Sequence, residues 1–407
     1  MEVKPGYKQT EIGIVPETWE VVELGKLFSF KNGLNKAKQF FGYGTPIVNY
    51  MDVYTKRGLR KKDIAGRVSL SSQEIDNYRV MIGDVLFTRT SETSEEVGIS
   101  SVVLDELEDT VFSGFVLRAR PITTKLQPLF AQYCFSPTHV RKQVISKSTY
   151  TTRALTNGKS LSSVVIAIPS TNNEQSNIAN SISDIDILIT SLEKLIKKKK
   201  LIKQGVMQEL LTGKRRLPGF SGEWETKRLG DVSVVIMGQS PDSKYYNTDS
   251  KGIPLIQGNA DIQNGKSVSR IWTKSITKEC QKGAILITVR APVGSVGISS
   301  SRACLGRGVC AVQPYSVNER YLYWQLKFSE DKWNESQQGS TFTSVNSNQI
   351  KDFCILCPTS FDEQAAIADV IEDIEIEIDL HIKQLNKQIL LKQAMMQELL
   401  TGRIRLV

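Results

Sequence analysis

Few residues in this chain stand where catalysis would need them. His139 and His381 are too few and too far apart in sequence to ligate a metal together. Cys354 and Cys357 form a C-x-x-C, but it lies in an apolar, strand-like run with no second Cys/His pair at zinc spacing. It reads as two buried strand thiols. Asn-Gly-Lys-Ser occurs at 157–160 and at 264–267. A phosphate-binding loop also needs glycine five positions earlier, so that backbone N–H groups can surround the phosphate. Arg153 and Ala260 stand there, and both stretches read as turns. Glu225-x-Lys227 resembles the tail of a nuclease carboxylate motif but has no upstream partner. There is no G-x-G-x-x-G and no Asn/Asp-Pro-Pro-aromatic motif.

What remains is the chemistry of binding. The chain carries a formal net charge of +9, which favours an anionic partner. Lys and Arg neutralise phosphates, while Arg, Asn, Gln, Ser and Thr can also read base edges. The candidate nucleic-acid contacts in the first half are Lys36, Lys38, Arg57, Arg60, Lys61, Thr88, Arg89, Thr90, Thr151 and Arg153. In the second half they are Lys244, Arg270, Lys274, Arg290, Arg302, Arg307, Gln338, Ser340 and Thr341. Several lie in corresponding polar loops. Thr88–Ser94 and Thr288–Gly294 each follow a strand-like run, and Ser148–Arg153 and Gln337–Thr343 each precede the last one.

The elements that position these loops come from an internal repeat. Residues 173–217 and 362–406 align without gaps at a constant offset, and about half of their positions are identical. Both copies step by four and three between apolar residues, which is a heptad seam. The first seam is Ile178, Ile182, Ile185, Ile189, Leu192 and Ile196; the second is Ile367, Ile371, Ile374, Ile378 and Leu385, interrupted by His381. Each copy ends in Leu-Leu-Thr-Gly, at Gly213 and Gly402, where glycine stops a helix cheaply. About 40 residues at ~1.5 Å each give a rod of roughly 60 Å. The first copy is basic, with Lys197–Lys200, and the second is acidic, with Glu372, Asp373, Glu375, Glu377 and Asp379. That charge pattern favours antiparallel pairing of the two copies.

Each helix follows a globular segment that opens on the same Trp-Glu frame, at Trp19 and Trp224. Short β-type runs recur in the same order: Pro46–Val48, Gly83–Phe87, Val111–Leu117 and Val164–Pro169, then Pro254–Gln257, Gly283–Ile287, Gly308–Val312 and Phe353–Pro358. A short helix is expected after the third, at Leu129–Phe135 and at Tyr321–Leu326. The fold class is therefore α+β. Two mixed α/β modules are separated by two long antiparallel coiled-coil helices in a pseudo-twofold internal repeat. The expected boundaries are 1–170 and 214–358 for the modules, and 171–213 and 359–407 for the helices.

The chain resembles the specificity subunits of type I restriction–modification enzymes. The resemblance rests on Tyr-Lys-Gln-Thr-Glu-Ile-Gly at 7–13, Val-Pro-Glu-Thr-Trp-Glu at 15–20 and Arg-Leu-Pro-Gly-Phe at 216–220. It rests also on Met-Gln-Glu-Leu-Leu-Thr-Gly at both 207–213 and 396–402. It covers essentially the whole chain. It implies two target-recognition domains, each reading one half of a bipartite sequence in double-stranded DNA, and central helices that space them and dock partners. The implied partners are two copies of the modification subunit, which would hold S-adenosylmethionine and methylate adenine N6, and restriction/translocase subunits, which would use ATP and Mg. No cofactor, metal or catalytic residue is expected on this chain. Six cysteines, no signal-like N-terminus and no run approaching 18 apolar residues lead to the expectation of a cytoplasmic protein away from membranes. Two rivals remain at this point: an enzyme with an unrecognised active site, and a coiled-coil scaffold with no DNA role.

Overall fold

The computed structural model describes residues 4–335 and 344–407. The contacts divide the chain into two units, residues 1–192 with 384–407, and residues 193–383. This differs from a linear division, because each long helix contributes half of its length to each unit.

In the first unit, the strand β1 (Trp19–Glu23) pairs antiparallel with the late strand Val165–Pro169. The main sheet has five strands. They are β2 (Phe28–Asn32), β3 (Gly58–Leu59), β4 (Val85–Thr88), β5 (Ser100–Val103) and β6 (Val116–Pro121), in spatial order β2-β6-β4-β5-β3. β4 is buried at every position. A central strand covered on both faces reads as a continuous apolar run, which is why Val85-Leu86-Phe87 was legible. The expected single run Val111–Leu117 is two strands, Val111–Phe112 and β6, in two different sheets. Of the expected helix Leu129–Phe135 only residues 129–131 are α-helical, within the short helix Pro128–Ala131.

The second unit repeats the plan. Strand β7 (Trp224–Arg228) pairs antiparallel with the last strand, Cys354–Pro358. Its main sheet opens with β8 (Ser233–Met237), then β9 (Ile285–Thr288), β10 (Val296–Ile298) and β11 (Val309–Pro314), in order β8-β11-β9-β10. That order matches β2-β6-β4-β5, and in both sheets these neighbours are antiparallel. Cys357 is buried, but Cys354 is exposed, which corrects the expectation of two buried thiols. An odd separation along a strand sends two side chains to opposite faces. The two Asn-Gly-Lys-Ser stretches also differ. Asn264 and Gly265, both at positive φ, turn a tight hairpin, whereas Asn157 caps a short helix at Gly158–Ser162.

The repeated segments form helices α1 (Asn172–Leu210) and α2 (Phe361–Leu399). Each begins on a hydroxyl cap: Thr171 Oγ1 accepts from Glu174 N–H at 3.3 Å, and Ser360 Oγ accepts from Glu363 N–H at 3.2 Å. Each ends at a glycine in the left-handed region, Gly213 (φ 67°) and Gly402 (φ 71°). The helices run antiparallel within each unit. Lys392 pairs with Asp186 in the first, and Lys199 and Lys203 pair with Glu377 at 2.7 Å and Glu375 at 2.6 Å in the second. The basic half of α1 therefore meets the acidic half of α2, as the charge pattern requires. Of the seam, Ile178, Ile182, Leu192, Ile196, Ile367, Ile371 and Ile378 are buried, while Ile185, Ile189, Ile374 and Leu385 are partly buried. Ile178 and Ile182 sit in the first module's own core with Leu399 and Leu400; Ile367 and Ile371 sit in the second's with Met207, Leu210 and Leu211. The helix ends are thus part of the module cores.

A closure is built twice. Glu174, 2% exposed, receives Arg405 Nη2 at 2.8 Å and the Trp19 indole N–H at 3.3 Å. Glu363, 0% exposed, receives Arg216 Nε at 2.9 Å and Nη2 at 2.5 Å. Beside each glutamate a buried glutamine ties the helix start to its module. Gln175 donates to Pro169 O and accepts from Gln127 N–H; Gln364 donates to Pro358 O and accepts from Asn318 N–H. The start of each helix is thereby fastened to the residues just past the end of the other. In the first unit this also brings the chain ends together: Tyr7 Oη donates to Gly402 O at 3.1 Å, and Asn177 to Leu406 O at 3.0 Å.

Candidate nucleic-acid interface

The loop after the central strand of each module pairs with the segment that precedes its last strand. In the first, Thr90–Ser91 pairs with Ala154–Leu155, which pairs in turn with Thr149–Tyr150. This ribbon brings Thr90, Thr151 and Arg153 together. In the second, Arg290 bridges Ser344, and Val345 N–H donates to Val289 O at 2.9 Å. The two polar loops of each module thus meet. Gln338, Ser340 and Thr341 lie outside the described residues.

A cavity opens beside each ribbon. The first, of about 410 Å³, is lined by Tyr50, Tyr54, Thr90, Ser91, Glu92, Glu96, Phe115 and Arg153. Its floor is fixed: Glu96 accepts from Tyr54 Oη at 2.7 Å and from Ser91 Oγ at 2.9 Å. The Tyr54 hydrogen bond, with those of Ser91 and Thr93, lowers the Glu96 pKa, and the same carboxylate raises that of Tyr54. The second cavity, of about 280 Å³, is lined by Ser240, Gln257, Gly258, Asn259, Arg290, Ala291, Arg307 and Gly308.

The arginines separate into two groups. Nineteen occur, all in the described residues. Sixteen hold a side-chain hydrogen bond or ion pair. The three with neither among the described residues are Arg153, Arg290 and Arg307, and all three line these cavities. A guanidinium has five donors in a fixed fork, and sixteen of these side chains use some of them within the fold.

Several other sequence candidates are engaged internally. Thr88 is a correction: it is fully buried, donates to Glu96 O at 3.1 Å and accepts from Ile99 N–H at 2.9 Å, so it shapes the loop and cannot reach a ligand. Arg89 is half-buried against Gly114 O. Lys36 is paired with Glu74, Arg60 with Asp105, Lys244 with Asp242, Arg270 with buried Asp261 and Arg302 with Glu279. Each would have to release or share its carboxylate to meet a phosphate. Arg57 donates to Ser136 and lines a different cleft with His139 and Lys142. Lys38, Lys61 and Lys274 are exposed and have no side-chain partner among the described residues. Sequence reasoning missed Tyr50, Tyr54, Glu92, Glu96 and Phe115 in the first cavity, and Ser240, Gln257 and Asn259 in the second. Only Tyr50 and Tyr54, one helical turn apart and stacked, left any local signal. Among the described residues, no group of His, Cys, Asp and Glu could hold a metal ion, and no helix is long and apolar enough to cross a membrane.

This duplicated architecture has a match. A family model described as the type I restriction modification DNA specificity domain fits the chain twice, over residues 16–204 and 221–391. The chain belongs to that family. This specificity subunit is 29% identical over 419 residues to the MjaX type I restriction enzyme specificity subunit of Methanocaldococcus jannaschii, across 98% of this chain and 96% of that one. It is 22% identical over 247 residues to the EcoKI specificity subunit of Escherichia coli, across 60% of this chain and 50% of that one. Its fold is similar to that of the type I restriction–modification S subunit of M. genitalium, with TM-score 0.63, 14% identity and 98% of each chain covered. It is similar also to a chain from a type I system solved for its complex assembly and conformational transition. There the TM-score is 0.64 at 21% identity, over 96% of this chain and 99% of that one. The specificity subunit is a recognition component and not one of the catalytic subunits.

Proposed function

We propose that this subunit reads a bipartite target in double-stranded DNA, one block per module, and directs adenine N6-methylation and restriction by partner subunits. The observation that carries the reading is the placement of the three unpartnered arginines. All face cavities built by corresponding loops, and free guanidinium forks suit base edges and phosphates. In this reading the modules correspond to 1–170 and 214–358, and the helices at 171–213 and 359–407 set the gap between the blocks.

Two copies of the modification subunit dock on the helices. This is supported by exposed apolar side chains that recur at equivalent places in the repeat. Ile187 is 62% exposed and Ile376 58%; Leu201 is 60% exposed and Leu390 66%. Isolated exposed apolar residues are ordinary, but the same pair on both copies fits two identical partners. S-adenosylmethionine belongs with the modification subunit, and ATP and Mg with the restriction/translocase subunits. The complex acts in the cytoplasm, where six free cysteines are at ease.

The test is methylome sequencing of cells expressing this chain with its modification subunit. Two short specific blocks separated by a nonspecific gap are expected. A single contiguous motif, or methylation without sequence preference, would refute the reading.

A further inference from the structure

The first module's cavity holds a second charged side chain without a partner. Glu92 is exposed and lines the same cavity as Arg153, yet among the described residues the two form no ion pair and neither side chain bonds another residue. Opposite charges free to move in one cavity would ordinarily pair if their backbones allowed it. Here both stand on the same ribbon without pairing. Arg153 is in the Thr149–Leu155 hairpin, and Glu92 follows Ser91, whose hydroxyl is fixed by Glu96. Glu96 cannot substitute for Glu92, because its oxygens already accept from Tyr54 and Ser91.

A donor fork and an acceptor held at one cavity match a particular object. In the major groove, guanine presents two acceptors, N7 and O6, and its cytosine presents the N4 amino donor. We infer that Arg153 and Glu92 together read one G·C pair, Arg153 donating to guanine and Glu92 accepting from cytosine N4. This rests on the reading of the chain as a DNA-recognition subunit and specifies what the first module reads. Discrimination follows from mismatch as well as match. Adenine in place of guanine puts its N6 donors toward the guanidinium, and thymine in place of cytosine puts its O4 acceptor toward the carboxylate. Each good contact of this kind discriminates by about 5- to 150-fold. The described lining of the second cavity has two arginines and no carboxylate, so it does not share this complementarity.

The test uses the assembled complex with its modification subunits, acting on a randomised duplex library whose methylated members are sequenced. The unaltered complex is expected to require a G·C pair in one block. Arg153→Ala should relax that position by at least about fivefold and leave the other block unchanged. Arg153→Lys, which keeps the charge and loses the fork, should relax it too while preserving the salt dependence of binding. Glu92→Gln should weaken discrimination at the same base pair. If Arg153→Ala lowers methylation evenly across sequences and Arg153→Lys restores it, Arg153 holds a phosphate and the inference is overturned. It is overturned equally if the motif has no G·C pair in either block, or if the relaxed position differs between the Arg153 and Glu92 variants. A complex without any sequence preference would instead remove the functional reading itself.

Discussion

Arg216→Met tests the closure at the start of α2. Glu363 is completely buried, and its two carboxylate oxygens receive Arg216 at 2.9 and 2.5 Å. Removing the guanidinium leaves a buried carboxylate facing a thioether. Breaking a buried pair from one side costs about 3–5 kcal/mol, because the remaining charge is desolvated and uncompensated. The comparison is Arg320→Met. Arg320 also meets two carboxylates, Asp369 and Glu372, but its side chain is 43% exposed. An exposed arrangement of that kind is worth about 0–1 kcal/mol. Urea titration of the full chain, followed by tryptophan fluorescence, separates the two. With a slope of about 2–3 kcal/mol per molar for a unit of this size, Arg216→Met should lower the midpoint by roughly 1–2 M. Arg320→Met should move it by less than about 0.5 M. The double change Arg216→Met with Glu363→Met should recover most of the loss, since an apolar pair can replace a buried ion pair. If Arg216→Met costs no more than Arg320→Met, the closure does not hold the helix start and the reasoning fails.

Two glycines, one past the end of α2 and one inside α1, should respond oppositely to alanine. At Gly402 (φ +71°) a Cβ would stand 2.5 Å from Pro16, so Gly402→Ala should lower the melting temperature, whereas Gly205 has open space and Gly205→Ala should gain about 0.5–1 kcal/mol. Leu201→Glu combined with Leu390→Glu should leave thermal stability nearly unchanged but reduce the modification subunits retained in native mass spectrometry. Retention of both copies would remove the docking assignment. The Glu74 carboxyl is drawn down from 4.5 to about 2, mainly by the Lys36 hydrogen bond. Its contribution to folding is therefore present above pH 4.5 and lost as pH falls toward 2, and a carboxyl NMR titration midpoint near 4.5 would contradict this.

The parts of the fold that were legible were those written in a local period. The helices could be read because their apolar residues recur every three or four positions and glycine follows. The buried central strands could be read from Val85-Leu86-Phe87 and Ile285-Leu286-Ile287. The pairing of β1 with Val165–Pro169 was not legible, since it joins residues about 145 positions apart with no shared local signal. At the site, type and loop position pointed to Arg153, Arg290 and Arg307. What separates them from Arg60 or Arg302 is that, among the described residues, no carboxylate pairs with them, which tertiary structure decides. Thr88 looked like a contact because hydroxyls in loops often are, but burial made it a brace.

The two closures have a consequence for how such a chain can be built. Arg405 fastens the start of the first repeat's helix, and Arg216 the start of the second's. Neither repeat supplies both halves of its own lock. A polypeptide ending soon after residue 217 would carry one glutamate and one arginine that fit a second copy of itself. Two such half-length chains would complete each other's modules, and the present chain then reads as that pair joined by the segment between Arg216 and Trp224.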